Sequence, residues 1–188
     1  MAKIESTLRN MVLSLTLISV GMSAALAMVY LKTKDPILRA EKAKSENAVK
    51  QVIPSFDSLR VARVGLDDGD TLTLQYGYKN DSLVGIAVET FTTKGFSGLV
   101  KFVAGFSPDG KILNVSGFEM KETPGLGTKM KEPAFLKQFL GKDPSVFQLK
   151  VKKDGGQVDA ITAATISSRA FCDATRKAYD AVKKGGKQ

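Results

Sequence analysis

Residues 11–31, MVLSLTLISVGMSAALAMVYL, decide how the rest of the chain is organised. The run contains no charged residue. At about 1.5 Å per residue, a helix over it would be roughly 31 Å long, close to the hydrocarbon thickness of a bilayer. We therefore predict a transmembrane helix at residues 11–31, preceded by a short N-terminal segment at residues 1–10.

The alternative to a retained anchor is a cleaved signal peptide. Ala25-Leu26-Ala27 resembles a cleavage site, but the apolar run is longer than the roughly 7–15 residues typical of signal peptides. A retained anchor is favoured. Basic residues after the run, read by the positive-inside rule, would put the large domain in the cytoplasm, yet long domains translocate with little regard to flanking charge. Charge alone leaves the side of the membrane open.

Composition excludes several kinds of chemistry. The 188 residues carry a net charge of +9, include no histidine and contain one cysteine, Cys172. The commonest general base and zinc ligand are therefore absent. A disulfide within the chain and a thiolate metal cluster are excluded as well, and Cys172 is interpreted as a small core residue. Basic residues are spread without a block, so we expect no nucleic-acid partner; a membrane surface or an anionic cofactor remains compatible with the charge.

The remaining sequence predicts a stalk and a globular domain. Asp35-Pro36 is typical of a helix start, and this helix should end near Val52, before Pro54. Residues 32–54 are therefore interpreted as a stalk helix or linker, and residues 55–188 as one domain. Alternating apolar residues and turn sequences in that domain predict strands at 61–66, 71–78, 83–92, 99–106 and 112–118.

Later elements complete an α+β fold with an antiparallel sheet and few helices. A short helix is expected at 133–140, and short strands at 147–151 and 158–161. Apolar residues recur at every fourth position in the last element, which predicts a helix packed along one face: Ile166, Ala170, Ala174, Ala178 and Val182, with Phe171 beside them.

The segment 159–168, DAITAATISS, joins the last predicted strand to that helix. Its four hydroxyl residues are Thr162, Thr165, Ser167 and Ser168. The free N–H groups and positive dipole end of a helix N-terminus favour a phosphate. Ordinary capping by Thr162 or Thr165 explains the same hydroxyl groups. The residues alone leave both interpretations open.

Asp159-x-x-Thr162-Ala163-Ala164-Thr165 resembles the flavinylation motif of the FMN-binding domain family. The resemblance implies that Thr165 forms a phosphoester with FMN, attached by a separate flavin transferase. This chain has Ala163 where that family usually has glycine. A methyl group at this position should be tolerated if the backbone φ is negative.

Glu122-Thr123-Pro124-Gly125-Leu126-Gly127 is similar to a loop of the G subunits of Rnf-type ion-translocating ferredoxin:NAD⁺ oxidoreductases. Lys94-Gly95-Phe96-Ser97-Gly98 is also similar to that family, and the likeness covers nearly the whole chain. We further hypothesise that Lys129 or Lys131 favours the reduced flavin. The resemblance implies a cofactor site composed of Thr165, Thr162, Ile166, Ser167, Glu122, Thr123, Gly125, Leu126, Gly127 and Lys129.

A membrane-anchored electron-relay subunit without a catalytic residue of its own is the function that this resemblance implies. Its partners would be the other subunits of a membrane redox complex and the flavin transferase. The FMN domain would face the periplasm from a bacterial inner membrane. Three alternatives stay open: a cofactor-free scaffold, a self-contained flavin-dependent reductase, and the related C subunit of the Na⁺-translocating NADH:quinone oxidoreductase, for which the chain looks short.

Overall fold

The computed structural model describes residues 7–67 and 69–186. Residues 1–6 of the predicted N-terminal segment and the last two residues of the predicted domain therefore lie outside the described range. The chain forms two compact units that divide between Ala43 and Lys44.

A single helix, α1 (Leu8–Val52), runs through the predicted transmembrane segment. An 18-residue window of this helix has a mean hydropathy of 2.1, and none of that window is buried. The helix is thus long and apolar enough to cross a membrane. The expectation that a new helix starts at Asp35-Pro36 is wrong, because Pro36 lies inside α1. Proline removes one backbone hydrogen bond and crowds the preceding turn, but the helix continues on both sides.

A five-stranded antiparallel sheet with strands in sequential order forms the domain. The hairpin between the second and third strands turns at Asn80 and Asp81, which both have positive φ, as two-residue hairpin turns of type I′ require. The α+β prediction is confirmed. The strands are β1 (Ser58–Gly65), β2 (Thr71–Lys79), β3 (Ser82–Gly95), β4 (Gly98–Phe106) and β5 (Ile112–Met120).

Helices cover both faces of this sheet. Successive residues of a strand point to opposite faces, and Val88 packs in the main core whereas its neighbour Ala87 packs in a second cluster. The last helix, α3 (Thr165–Gly185), supplies much of the main core. Val49 and Val52, at the end of α1, belong to the second cluster. Part of the predicted stalk therefore packs as a structural element of the domain.

Phe171 lies at the centre of the main core. It is fully buried, and its ring centroid lies 4.9 Å from that of Phe102 and 4.7 Å from that of Phe139. Cys172 is also buried, as expected, and burial raises the pKa of its thiol to about 12. A thiol that stays protonated in this way is a packing group.

Four local predictions differ from the structure. The helix expected at 133–140 is shorter, α2 (Pro133–Leu136), and turns follow it. The strands expected at 147–151 and 158–161 reduce to one isolated parallel bridge between Val151 and Val158. These short apolar runs bury Leu149, Val151 and Val158 in the main core, and neither run joins the five-stranded sheet. Ile166, expected on the buried face of α3, is 46% exposed.

Candidate functional site

A cavity of about 300 Å³ forms where the two motifs from the sequence meet. One wall comes from the loop after β5 and another from the start of α3. Most of the residues that the resemblance implies are brought together there: Glu122, Thr123, Leu126, Gly127, Thr165, Ile166 and Ser167. Segments more than 35 positions apart in sequence thus share one pocket, and its volume is at the low end for ligand sites, roughly 300–1,000 Å³.

Three other expected residues are not among those lining the cavity. Thr162 is exposed in the turn before α3, and Gly125 is exposed in the loop. Lys129 is exposed on a short 3₁₀ helix (Gly127–Lys131). The hypothesis that Lys129 acts on a bound cofactor therefore receives no support from its position.

Phe96, Ala163 and Ala164 line the cavity but were not assigned to it from the sequence. Phe96 is 66% exposed, at the turn between β3 and β4. An aromatic residue exposed between glycines (Gly95 and Gly98) was the signal that could have identified it, because flat apolar side chains at turn tips serve recognition more often than packing.

The N-terminus of α3 is left without a side-chain cap. Its N-cap residue is Ala164, which has no polar side chain, so the capping interpretation for Thr162 or Thr165 is wrong. Within residues 7–67 and 69–186, no group accepts a hydrogen bond from the backbone N–H of Thr165, Ile166 or Ser167. Free N–H groups at the positive end of a helix are suited to bind an anion.

Thr165 is the first residue of α3, and its side chain is half-buried at the cavity wall. Its hydroxyl makes no hydrogen bond to any residue that the structure describes. The next turn is fixed firmly, since the Ser168 hydroxyl donates to the carbonyl of Ala164 at 3.0 Å and accepts from the N–H of Ile161 at 3.0 Å. The Thr165 hydroxyl is thus available on a well-held helix start.

Ala163 occupies the left-handed region, with a φ of 60°. The N–H of Ala164 donates to the carbonyl of Ile161 at 2.9 Å, so residues 161–164 form a turn with positive φ at its third residue. Turns of this kind, typified by type II, favour glycine there. The negative φ at which a methyl group would be tolerated is therefore not found at Ala163, and the alanine is strained.

Replacing Ala163 with glycine is expected to raise the free energy of unfolding by about 1 kcal/mol, because a left-handed alanine costs roughly 1–2 kcal/mol relative to glycine and the gain is partly offset by chain entropy. Urea unfolding of the full chain in detergent, followed by circular dichroism, measures this change.

The matched control is Ala164→Gly. Ala164 is adjacent but has a φ of −134°, so the same substitution relieves no strain there and should lower stability slightly. An Ala163→Gly variant no more stable than the parent chain would refute the claim of strain.

Glu122 connects the three segments around the cavity. Its side chain is 4% exposed. One carboxylate oxygen accepts a hydrogen bond from the backbone N–H of Ser97, in the β3–β4 turn, at 3.3 Å. The other accepts a hydrogen bond from the hydroxyl of Ser167, on α3, at 2.8 Å. A Cβ placed on Gly127 would lie 2.4 Å from that second oxygen, so the glycine makes room for the carboxylate.

A larger cavity of about 800 Å³ lies on the other side of Ile166, which lines both. It is bordered by a bidentate ion pair in which Arg169 donates to both oxygens of Asp154 at 2.7 Å, and these bonds lower the pKa of the Asp154 carboxyl. Thr165 does not line this cavity. The smaller cavity is therefore the candidate site, because, of these two cavities, it is the one lined by both motifs.

The smaller cavity can hold an anionic group and a flat apolar one side by side. Free N–H groups and a hydroxyl suit the anion, and Phe96, Leu126 and Ile166 provide exposed apolar surface for the flat group. FMN has these two parts, a phosphate and a planar ring system, and thus fits the groups that are present.

Comparisons with known proteins agree with this interpretation. Residues 95–180 match the model of the FMN-binding domain family. The chain is 34% identical over 181 residues to the G subunit of the ion-translocating oxidoreductase complex of Methanosarcina acetivorans, covering 92% of this chain and 93% of that protein. It is 32% identical to the protein of the same name in Shewanella piezotolerans, covering 93% and 88%. It is 29% identical to that of Vibrio vulnificus, covering 94% and 90%.

Proposed function

Given that the chain belongs to the family of G subunits of ion-translocating oxidoreductase complexes, we propose that it is a membrane-anchored electron-transfer protein that carries FMN. The observation that carries this proposal is the cavity in which the Glu122–Gly127 loop meets the start of α3. The matched FMN-binding region, residues 95–180, includes both walls. The bound flavin would supply the electron-transfer chemistry, and the chain would supply its position and electrostatic surroundings.

Thr165 is proposed as the point of covalent attachment. Its hydroxyl has no partner among the described residues, and the N–H groups beside it can hold the phosphate oxygens. A flavin transferase would deliver the flavin mononucleotidyl group from a donor whose phosphate carries a leaving group. The bond from Thr165 Oγ1 to phosphorus forms as the bond to the leaving group breaks, and the hydroxyl proton passes to solvent.

The remaining residues of the cavity would orient the flavin. Phe96, 66% exposed at the rim, offers a flat face to the ring system, and Leu126 and Ile166 offer further apolar contact. Burying these surfaces against the ring removes apolar area from water, which stabilises the bound position. A covalent link would also keep the cofactor from being lost by dilution.

We place the FMN domain on the outer side of the membrane, in a complex of the Rnf type that couples ferredoxin–NAD⁺ electron transfer to cation transport. The long apolar part of α1 would be the anchor. Flanking charge does not fix the side, because translocation of a long domain depends weakly on it.

One expression experiment tests both attachment and sidedness. The full chain is co-expressed with a flavin transferase that is exported, or with the same enzyme retained in the cytoplasm, and each enzyme is first shown to be active. After denaturing electrophoresis, the protein band should show flavin fluorescence only with the exported transferase. Fluorescence only with the retained enzyme would reverse the sidedness, and no fluorescence in either strain would contradict covalent attachment.

A further inference from the structure

We propose that Glu122 is a redox-tuning residue whose buried negative charge lowers the reduction potential of the flavin. The proposal rests on the proposed function, because it requires FMN in the cavity that Glu122 lines. It goes beyond that function by assigning a control of potential to one side chain of this chain.

The Glu122 side chain is a carboxylate enclosed by protein. It is 4% exposed, and each of its oxygens accepts one hydrogen bond, from the Ser97 N–H and from the Ser167 hydroxyl. Both contacts suit a carboxylate, because a backbone N–H can only donate and a serine hydroxyl can donate to an oxygen that carries negative charge. The Glu122 carboxylate is thus the acidic group at this wall of the cavity.

That charge has no cationic partner in the part of the chain that the structure describes. Buried carboxylates are usually paired with a cation. At Glu122 the free-energy cost of burying the carboxylate is offset by two neutral hydrogen-bond donors, the Ser97 N–H and the Ser167 hydroxyl. The positive end of α3 contributes as well, because Ser167 lies in the first turn of that helix. A helix end carries only about half an elementary charge, so the potential stays negative at the wall formed by Glu122, while the free N–H groups at the start of α3 keep their affinity for an anion.

Two glycines, Gly95 and Gly127, allow the backbone to pack directly against the Glu122 carboxylate. A Cβ on Gly95 would lie 2.7 Å from one carboxylate oxygen, and a Cβ on Gly127 would lie 2.4 Å from the other. Both Glu122 and Ser167 line the cavity. A flavin in that cavity would therefore lie against the wall to which the Glu122 carboxylate belongs, and a charge that is largely shielded from solvent interacts more strongly than one in water.

Reduction of the flavin by two electrons with uptake of one proton adds one negative charge to the site. The Glu122 charge repels that added charge, so it weakens binding of the reduced form relative to the oxidised form. Electrons held by this protein would then be easier to pass on. The expected direction is therefore a lower potential with Glu122 than without its charge.

The test is the midpoint potential of the covalent flavin in the full chain, in detergent, measured by spectroelectrochemistry. Glu122→Gln keeps the shape and removes the charge. We expect its preference for the reduced form to rise at least tenfold, which for two electrons is a shift of about +30 mV. The matched control, Glu132→Gln, removes an exposed carboxylate outside the cavity, where solvent screens its charge, and should leave the potential unchanged.

Ser167→Ala provides a second, independent measurement. This substitution keeps the Glu122 carboxylate but removes one of the two hydrogen-bond donors that partly neutralise its charge. The reduction potential of the flavin should therefore fall, which is the opposite direction to the change expected for Glu122→Gln. A Glu122→Gln potential equal to that of the control overturns the proposal. If that variant does not fold, an unchanged or raised potential in Ser167→Ala overturns it instead. A parent chain without covalent flavin would contradict the proposed function itself, which is a separate outcome.

Discussion

Replacing Thr165 with alanine is expected to remove the covalently bound flavin completely. The alanine has no oxygen through which a phosphoester can form, and the start of α3 offers no equivalent hydroxyl at the cavity wall. Ser167 is committed to Glu122 at 2.8 Å, and Ser168 is fully buried and bonded to the Ala164 carbonyl. Flavin fluorescence of the protein band after denaturing electrophoresis measures the loss directly.

Thr93→Ala is the matched control for this substitution. Thr93 is an exposed threonine of β3 that does not line the cavity, so its variant should keep the fluorescence of the parent chain. A fluorescent Thr165→Ala band would mean that another residue carries the flavin. That result would contradict attachment at the start of α3.

The largest effect on stability is expected from Phe171→Ala. Phe171 is fully buried on α3, with neighbouring rings from β4 and from the segment after α2. Truncation leaves a cavity that these rings cannot close, and removal of a buried phenylalanine typically lowers the free energy of unfolding by about 3–5 kcal/mol. Urea unfolding of the full chain without flavin, in detergent, gives this value.

Phe96→Ala makes the same chemical change at an exposed position. Because Phe96 is 66% exposed, the free energy of unfolding should change by no more than about 0.5 kcal/mol. Equal losses in the two variants would contradict the assignment of Phe171 to the centre of the core.

The sheet could be predicted from sequence because its signals are local. Alternating apolar residues identified all five strands, and the Asn80-Asp81 turn has the residue types that its positive φ values demand. The prediction that a helix starts at Pro36 was wrong because it used only the local preference of proline for the first turn of a helix. A long helix can contain a proline and lose one backbone hydrogen bond, as α1 does. The runs at 147–151 and 158–161 have strand-like composition, but strand pairing depends on tertiary context.

The candidate site was only partly predictable for the same reason. Motifs at 122–127 and 159–165 could be recognised separately, but their convergence on one cavity is a property of the fold. The exposure of Ile166 and the positive φ of Ala163 likewise depend on where the turn before α3 is held. Glu122 gave no local sign of burial, since its enclosure depends on Ser97, Ser167 and two glycines distant in sequence.

Mass spectrometry of the tryptic peptide that follows Lys153 and ends at Arg169 tests the central claim most directly. This peptide contains both Thr162 and Thr165. In the chain co-expressed with the exported transferase, its mass should increase by one FMN less one water, and fragmentation should place the increment on Thr165. An unmodified peptide, or an increment on Thr162, would contradict attachment of the flavin at the start of α3.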